Sequence, residues 1–306
     1  MKERFVVKPI ERYKNEPPGP EVHFNVLRRI LVPFTGSTVL FATTEIGTQV
    51  AIKISSKKNG AKREWTGLNR AYSAGVPVPE PILLANDEVG NEVLISKKID
   101  GVSLFRAPDH ETKGHLGSVI GFMHRNVRIE GVEWLNSGKS DFNYYDRYLF
   151  YWLKGTPGLG KNSTTLVLLG ELTDAMRAYC DATRPVFNHN DIHDGQVLVM
   201  PGNKLSIIDF ENWTEDSQLN ELATYLFHSI RTGRPAGEFE AFLRGYLGGL
   251  NFTDTEKSAL VFYLLFISAR AVSYFQSSAS GYLETARATH HKVLQYIETE
   301  KLWRQF

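Results

Sequence analysis

The sequence predicts an α+β protein with a small β-rich N-terminal lobe, residues 1–103, and a larger helical lobe, residues 104–306. Two patterns support this division. Runs of β-branched and aromatic residues, separated by turn signals, dominate the first lobe. Apolar residues at helical spacing dominate the second, although residues 186–213 favour short strands. No internal repeat or low-complexity segment interrupts this organisation.

The N-terminal lobe is predicted to contain three strands, a helix and two further strands. Turn signals at Thr35–Gly36 and at Gly47 separate the first three strands. The helix has Trp65, Leu68 and Tyr72 at helical spacing. The prolines after it cannot continue a helix, because proline lacks the backbone N–H. The segments are residues 28–55 for the three strands, 61–75 for the helix, and 82–87 and 92–99 for the last two strands.

Helices account for most of the second lobe. Its most apolar stretch, residues 259–275, contains Ser268 and Arg270 and is shorter than the roughly 20 apolar residues that a membrane span needs. A buried core helix is therefore expected there. Helices are predicted over residues 111–126, 142–154, 166–182, 217–231, 237–249 and 254–300.

Composition limits the classes of protein and site. Lys and Arg total 35, and Asp and Glu total 34, for a net charge of +1, whereas dedicated nucleic-acid binders usually carry a basic excess. The single cysteine, Cys180, excludes an internal disulfide framework and a cysteine-rich zinc site. The N-terminus lacks the apolar core of a secretory signal. We therefore expect a cytoplasmic protein without a nucleic-acid or membrane partner.

Residues 187–199, FNHNDIHDGQVLV, place two histidines and two aspartates between apolar strand formers. One interpretation is a metal cluster formed by His189, Asp191, His193 and Asp194. The two histidines would share a face only on a helix, but the flanking residues favour extended structure, so a zinc site is disfavoured. The remaining interpretations are a polar turn and a catalytic loop.

A second apolar strand in KLSIIDFENW, residues 204–213, supports the catalytic interpretation. The strand ends on Asp209, and a strand–loop–strand hairpin can bring Asp191, Gln196 and Asp209 around one small volume. Asp191 can accept the proton of a substrate hydroxyl. Gln196 and Asp209 can supply the hard oxygen ligands that Mg²⁺ prefers. Phosphoryl transfer needs this combination of groups.

These motifs resemble the aminoglycoside phosphotransferase-like kinases, which have a protein-kinase-like fold of two lobes. Their catalytic loop, H-G-D-x-H-x-G-N-x-L, corresponds to residues 189–198, and their metal strand, x-I-D-[FW]-[ED], corresponds to residues 207–211. The likeness covers residues 28–230. It implies an enzyme that uses ATP or GTP with Mg²⁺ to phosphorylate a hydroxyl of a small polar acceptor, such as a sugar, an aminosugar or an aminoglycoside-like compound.

The resemblance also implies which residues bind the nucleotide. Lys53, in VAIKIS, corresponds to the lysine that binds the nucleotide phosphates, and Glu64 on the next helix corresponds to its ion-pair partner. The loop FTGSTV can offer backbone N–H groups to phosphate, together with the side chains of Ser37 and Thr38 that follow Gly36. A plain hairpin turn explains this loop equally well.

The roles implied for the second lobe concern the loop and the acceptor. Asp191 is implied to be the catalytic base. His189 is implied to brace the loop, and His193 either braces it or approaches the acceptor. Glu211 and Asp216 are candidates for acidic groups on the acceptor side.

Two residues depart from the family pattern. Gln196 stands where most of the family has asparagine, but its amide keeps the carbonyl group that ligates a metal. Maltokinase-like enzymes are similar in having glutamine here, which favours a sugar as the acceptor. Asn190 replaces the glycine beside the catalytic aspartate, and asparagine tolerates the left-handed backbone region better than most residues.

Alternative functions remain open. A kinase of a protein or lipopolysaccharide acceptor would share the fold, but no D-F-G…A-P-E activation segment follows Asp209. A non-catalytic pseudokinase scaffold is disfavoured because Lys53, Asp191 and Asp209 are all present. Residues 155–163, GTPGLGKNS, resemble a phosphate-binding P-loop, but Asn162 stands where Ser or Thr is needed and no strand is predicted before it.

Overall fold

Strands and helices segregate along the chain, which confirms the predicted α+β class. The structure is a computed structural model that describes residues 4–12, 20–31, 37–106, 109–129, 164–234, 236–277 and 281–299. The chain divides into two units. The first comprises Met1–Ala107 and Asp194–Trp213, and the second comprises Pro108–His193 and Thr214–Phe306. The segment Asp194–Trp213 therefore groups with the β-rich part of the chain.

Six antiparallel strands form a closed barrel in the first unit. They are β1 (Arg4–Arg12), β2 (Val22–Leu31), β3 (Thr38–Thr43), β4 (Gln49–Ile54), β5 (Pro81–Asp87) and β6 (Glu92–Lys97). Neighbours follow the order β1–β2–β3–β4–β6–β5, and β1 closes the barrel by pairing with both β2 and β5. Buried apolar side chains fill the interior, among them Leu40, Val50, Ile52 and Ile95.

The strand β1 is absent from the sequence prediction. Its sequence, RFVVKPIER, lacks a clear alternation of apolar and polar side chains, and Val7 is its one buried residue. Its register with β5 shifts between Pro9 and Glu11, because proline cannot donate to the ladder and is tolerated at bulges. The next strand also begins at Val22, earlier than predicted.

One helix and a smaller sheet complete the first unit. The helix α1 (Gly60–Ser73) packs against β5 and β6. Along β4, Val50 and Ile52 point into the barrel, so Lys53 points to its outer face because side chains alternate along a strand. The smaller sheet consists of β7 (Val102–Ser103), β9 (Val197–Met200) and β10 (Lys204–Ile207). These three strands follow the order β10–β9–β7.

Seven described helices and a two-stranded sheet build the second unit. The helices are α2 (His110–Asn126), α3 (Thr164–Glu171), α4 (Thr173–Ala182), α5 (Gln218–Thr232), α6 (Ala236–Leu247), α7 (Asp254–Ser277) and α8 (Leu283–Glu298), and the strands are β8 (Val186–Asn188) and β11 (Thr214–Asp216). Among the described helices, α7 alone is long and apolar enough, over Asp254–Gln276, to cross a membrane. However, 72% of its most apolar 18-residue stretch is buried within the structure. This burial is typical of a core helix.

Two predicted helices are divided in the structure. The helix predicted over 166–182 breaks at Leu172 into α3 and α4. The single helix predicted over 254–300 is wrong, because α7 ends at Ser277 and α8 begins at Leu283. The intervening sequence, Ser-Ala-Ser-Gly-Tyr at residues 278–282, includes glycine and two serines, which are weaker helix formers than alanine or leucine. The helix predicted over 142–154 and the P-loop-like segment 155–163 lie outside the described residues.

Candidate functional site

The hairpin of β9 and β10 places Gln196 beside Asp209. Ile207 pairs with Val197 at the end of the ladder, and the N–H of Ile208 donates to the carbonyl of Gln196 at 2.9 Å. The side-chain Nε2 of Gln196 donates to Oδ2 of Asp209, also at 2.9 Å. The predicted hairpin therefore brings these two side chains together.

Asp209 has a backbone conformation that is unusual for a residue other than glycine. Its φ of 71° lies in the left-handed region, which costs energy when a Cβ is present. The turn leads from β10 directly into the short helical turn Phe210–Asn212. Both Asp209 and Glu211 consequently reach the same lysine, Lys53.

Lys53 is at the centre of a charged cluster. Its Nζ lies 2.5 Å from Oδ1 of Asp209, 2.7 Å from Oε2 of Glu64 and 3.0 Å from Oε2 of Glu211. Burial acts to lower the pKa of Lys53, but the three carboxylates outweigh burial and raise it above its ordinary value. Lys53 therefore stays charged, and the predicted ion pair with Glu64 is present.

Glu64 and Glu211, two of the carboxylates around Lys53, differ in their proton affinity. Burial raises the pKa of Glu64 to about 7, although Lys53 opposes the shift. Glu211 forms an ion pair with a second lysine, since Nζ of Lys57 lies 2.9 Å from its Oε1. Burial acts to raise the pKa of Glu211, but the two lysines hold it below its ordinary value. Glu211 therefore stays anionic under conditions in which Glu64 takes up a proton.

The same carboxylates provide a donor set for a cation. One oxygen from each of Glu64, Asp209 and Glu211 lies within 4.8 Å of the other two, and this is the one such group found among the described residues. Carboxylate and amide oxygens are hard ligands that suit Mg²⁺ and Ca²⁺. With the amide of Gln196 next to Asp209, the chemistry of this donor set fits a divalent cation.

Trp213 ties α1 to the segment that follows β10. Its Nε1 donates to the carbonyl of Arg63 at 2.8 Å, and the guanidinium of Arg63 donates to the carbonyl of Trp213. The guanidinium carbons of Arg63 and Arg70 lie 5.4 Å and 4.8 Å from the ring centroid, as in cation–π pairs. Because α1 carries Glu64, this contact helps to set the distance between Glu64 and Lys53.

In the second unit, α5 holds the loop that follows β8. The fully buried carboxylate of Glu221 accepts hydrogen bonds from the backbone N–H groups of His189 and Asn190. Asn190 has a φ of 63°, the left-handed conformation anticipated for it. Asn220 Nδ2 donates to Oδ1 of Asn190 at 3.2 Å and to Oδ2 of Asp216 at 3.0 Å. Asp216 is thus a buried partner within this network.

Asp191 lies beside two histidines. Its Oδ1 is 3.4 Å from Nε2 of His228, on α5, and the rings of His228 and His193 are 4.8 Å apart between centroids. Burial acts to raise the pKa of Asp191, but the hydrogen bond from His228 and the electrostatic effect of the neighbouring histidines hold it below its ordinary value. Burial, followed by the effect of His228, lowers the pKa of His193 to about 4.

The predicted site residues fall into both units. Asp191, His189 and His193 lie in the second unit. Gly36 lies outside the described residues, whereas Ser37 is buried and Thr38 begins β3, so the phosphate-binding role of this loop stays a prediction. The structure brings together Lys53, Glu64, Gln196, Asp209 and Glu211 in the first unit.

Sequence reasoning missed three residues that support the site. His228 is one histidine in an amphipathic helix, and no local pattern connects it with Asp191. Lys57 and Trp213 likewise gain their partners only through folding. For Glu221 a partial signal exists, because ELATY, residues 221–225, resembles the segment with which the family anchors the helix after its metal strand.

The chain matches one protein-family model, described as the phosphotransferase enzyme family, over residues 27–260. No curated protein matches its sequence. Among solved structures it is similar to a thermostable mutant of aminoglycoside phosphotransferase APH(4)-Ia, with a TM-score of 0.64 and 16% identity. That alignment covers 90% of this chain and 95% of the other.

Two further solved structures are similar to the chain. Amicoumacin kinase hAmiN, in complex with AMP-PNP, Ca²⁺ and Ami, has a TM-score of 0.60 and 14% identity, with 89% and 88% of the two chains covered. A choline/ethanolamine kinase family protein from Mesorhizobium loti has a TM-score of 0.62 and 18% identity, with 96% and 92% covered. These likenesses confirm the predicted protein-kinase-like fold.

Proposed function

The chain belongs to the phosphotransferase enzyme family and is a kinase with a hydroxyl group as its acceptor; from that premise we propose that it transfers the γ-phosphoryl group of ATP, with Mg²⁺, to a sugar. One observation carries the proposal. Lys53, Glu64, Asp209 and Glu211 form a connected ionic cluster with Gln196 at its edge. These are the charge-neutralising and metal-holding groups that phosphoryl transfer requires.

Lys53 has the nucleotide role in this proposal. It stays protonated, and its ammonium group neutralises charge on the nucleotide phosphates. Glu64 keeps the lysine side chain extended from β4, and Trp213 keeps α1 in place behind Glu64. Similar solved kinases were obtained with ADP or AMP-PNP, which supports a nucleotide of this kind for the present chain.

Asp209, Gln196 and Glu211 have the metal role. A bound Mg²⁺ would offset the charge of the phosphate oxygens. Gln196 would contribute its carbonyl oxygen, whereas its amide nitrogen now faces Asp209, so the amide has to rotate. Asp209 supplies a carboxylate oxygen that is already in the cluster. The hAmiN complex contains Ca²⁺, another cation that prefers oxygen ligands.

Asp191 has the role of the base. Its pKa lies below the ordinary value, so the carboxylate is ionised at neutral pH and can accept the acceptor's hydroxyl proton. Glu221 holds the backbone of the loop immediately before Asp191 through two N–H groups. A base held in this way contributes by orienting the hydroxyl as well as by taking its proton.

The imidazole groups around Asp191 suit an acceptor rich in hydroxyl groups. His193 and His228 are adjacent to it, and Arg231 follows His228 by one helical turn. After burial, His228 and Arg231 are among the causes that lower the pKa of His193 to about 4. With a pKa of about 4, His193 is an uncharged imidazole at neutral pH, and neutral imidazoles can form hydrogen bonds with sugar hydroxyls. The proposed location of the reaction is the cytoplasm, where ATP is available.

The experiment is an acceptor screen. Purified protein with ATP and Mg²⁺ is incubated with sugars, aminosugars and aminoglycosides, and ADP release is measured together with the phosphorylated product by mass spectrometry. We expect acceptor-dependent ADP release with a neutral sugar. Phosphorylation of a protein or lipopolysaccharide instead would support the large-acceptor alternative. Binding of ATP without transfer to any acceptor would support the pseudokinase alternative.

A further inference from the structure

We propose that His228 is a positioning residue for Asp191: its neutral imidazole donates a hydrogen bond from Nε2 to Oδ1 and leaves Oδ2 to receive the acceptor's proton. The inference rests on the proposed function, because it takes Asp191 to be the base. The proposal gives a role in the reaction to His228, a residue on α5 that lies outside both motifs proposed to carry the kinase chemistry.

The geometry supports a directed contact. Nε2 of His228 lies 3.4 Å from Oδ1 of Asp191, and the two side chains are 15% and 34% exposed. Two further rings lie beside the imidazole, with centroid distances of 4.8 Å to His193 and 5.4 Å to Phe227. Its backbone belongs to α5, whose preceding residues are buried. The donor therefore comes from a rigid element, whereas Asp191 lies in a loop.

Carboxylate chemistry explains why such a donor matters. Both oxygens of an ionised aspartate can accept a proton, and the terminal torsion of the side chain is broad. A donor fixed on one oxygen restricts that torsion and presents the other oxygen in one direction. The required tautomer carries its proton on Nε2. A hydrogen bond to a charged acceptor is also among the stronger ones in proteins.

A merely structural contact would behave differently. If His228 only packed against the loop, an apolar residue of similar size would replace it without changing the chemical step. If it positions Asp191, a replacement must retain a donor at the place of Nε2. Glutamine meets this requirement, because its Nε2 is separated from Cβ by the same number of bonds as the imidazole Nε2. Leucine fills similar space but has no donor.

The first test compares kcat and the nucleotide KM in three variants. His228→Leu should lower kcat by about 10- to 100-fold, as expected for the loss of a hydrogen bond to a charged group, with little change in the KM for ATP. His228→Gln should recover most of kcat. His291→Leu makes the same substitution at an exposed histidine on α8 and should match the wild type. A wild-type kcat in His228→Leu would overturn the inference.

The second test needs no acceptor. In ¹⁵N-edited NMR of the imidazoles, His228 should be the Nε2–H tautomer, and Asp191→Ala should shift its Nε2 resonance while leaving that of His291 unchanged. An Nδ1–H tautomer, or a resonance of His228 that Asp191→Ala does not move, excludes the proposed hydrogen bond. The two proposals fail separately: full activity of Asp191→Asn would overturn the proposed role of Asp191 itself, whatever the tautomer of His228.

Discussion

The indole ring of Trp213 lies so close to the backbone of Gly67 that a Cβ on Gly67 would be 2.4 Å from the ring Cδ1. No side chain other than hydrogen fits at this point of α1 unless the ring moves. The same ring is hydrogen-bonded to Arg63. The position of α1, and with it that of Glu64, thus depends on a close contact between a helix backbone and an aromatic ring.

We expect Gly67→Ala to lower the free energy of unfolding by about 1–3 kcal/mol, the usual cost of overpacking, and to weaken nucleotide binding. The added methyl group must displace Trp213 or α1, which disturbs the pair of Lys53 and Glu64. Urea unfolding and calorimetry with MgATP measure the two effects. Gly170→Ala is the matched control, since no atom lies within 4 Å of its added Cβ and alanine favours a helix. Equal effects of both substitutions would contradict the proposed clash.

Substitutions of Asp209 and Gln196, the two residues at the end of the hairpin, should differ in their effect on Mg²⁺-dependent turnover. Asp209→Ala should abolish Mg²⁺-dependent turnover, because it removes a carboxylate ligand and also an ion-pair partner of Lys53. Gln196→Asn should retain activity, because it keeps an amide carbonyl one methylene shorter. Turnover is measured against Mg²⁺ concentration, with circular dichroism to verify folding. A folded but inactive Gln196→Asn protein would argue against a simple ligand role.

The role of Asp191 is tested by separating chemistry from binding. Asp191→Asn keeps the size of the side chain but removes the charge that accepts a proton. Turnover on a confirmed acceptor should fall by about 10²–10⁴-fold, the range for a positioned general base. Nucleotide affinity, measured by calorimetry, should change far less. Turnover equal to that of the wild type would show that residues 187–199 are not a catalytic loop of the proposed kind.

A buried histidine in the second unit should make stability depend on pH. His290 contacts the hydroxyls of Thr165 and Ser268, each at 2.8 Å, and burial, followed by the charge of His291, lowers its pKa to about 4. The ordinary value is 6.5, so between these values the unfolded chain binds the proton that the folded chain excludes. This contribution to stability is complete above pH 6.5 and is lost as the pH falls towards 4.

His290→Gln should flatten this pH dependence, because glutamine does not titrate. Between pH 6.5 and 4 the wild type should lose up to about 3 kcal/mol more than the variant, at 1.36 kcal/mol per pKa unit. Urea unfolding at several pH values gives the two slopes. His23→Gln, at an exposed histidine on β2, should keep the slope of the wild type. Parallel slopes for wild type and His290→Gln would rule out His290 as the cause.

Much of the site was predictable from short stretches of sequence. Lys53 lies in an alternating strand, and Gln196 and Asp209 are joined by a hairpin whose two strands are adjacent in the chain. Local patterns of this kind specify strands, turns and the residues at their ends. The helix predicted over 254–300 failed for a related reason: its apolar periodicity continues beyond the break, and the break depends on a few weak helix formers.

By itself the sequence determined the fold class and the residue types of the candidate site, because both depend on patterns within one element or between neighbouring ones. The closing of the barrel by β1, the contact of Trp213 with α1 and the pairing of His228 with Asp191 were decided only by the tertiary structure. Arg63 and Trp213 are 150 positions apart in the sequence, and Lys53 and Asp209 are 156 positions apart. Contacts across such distances follow from how whole elements pack, and no local periodicity records them.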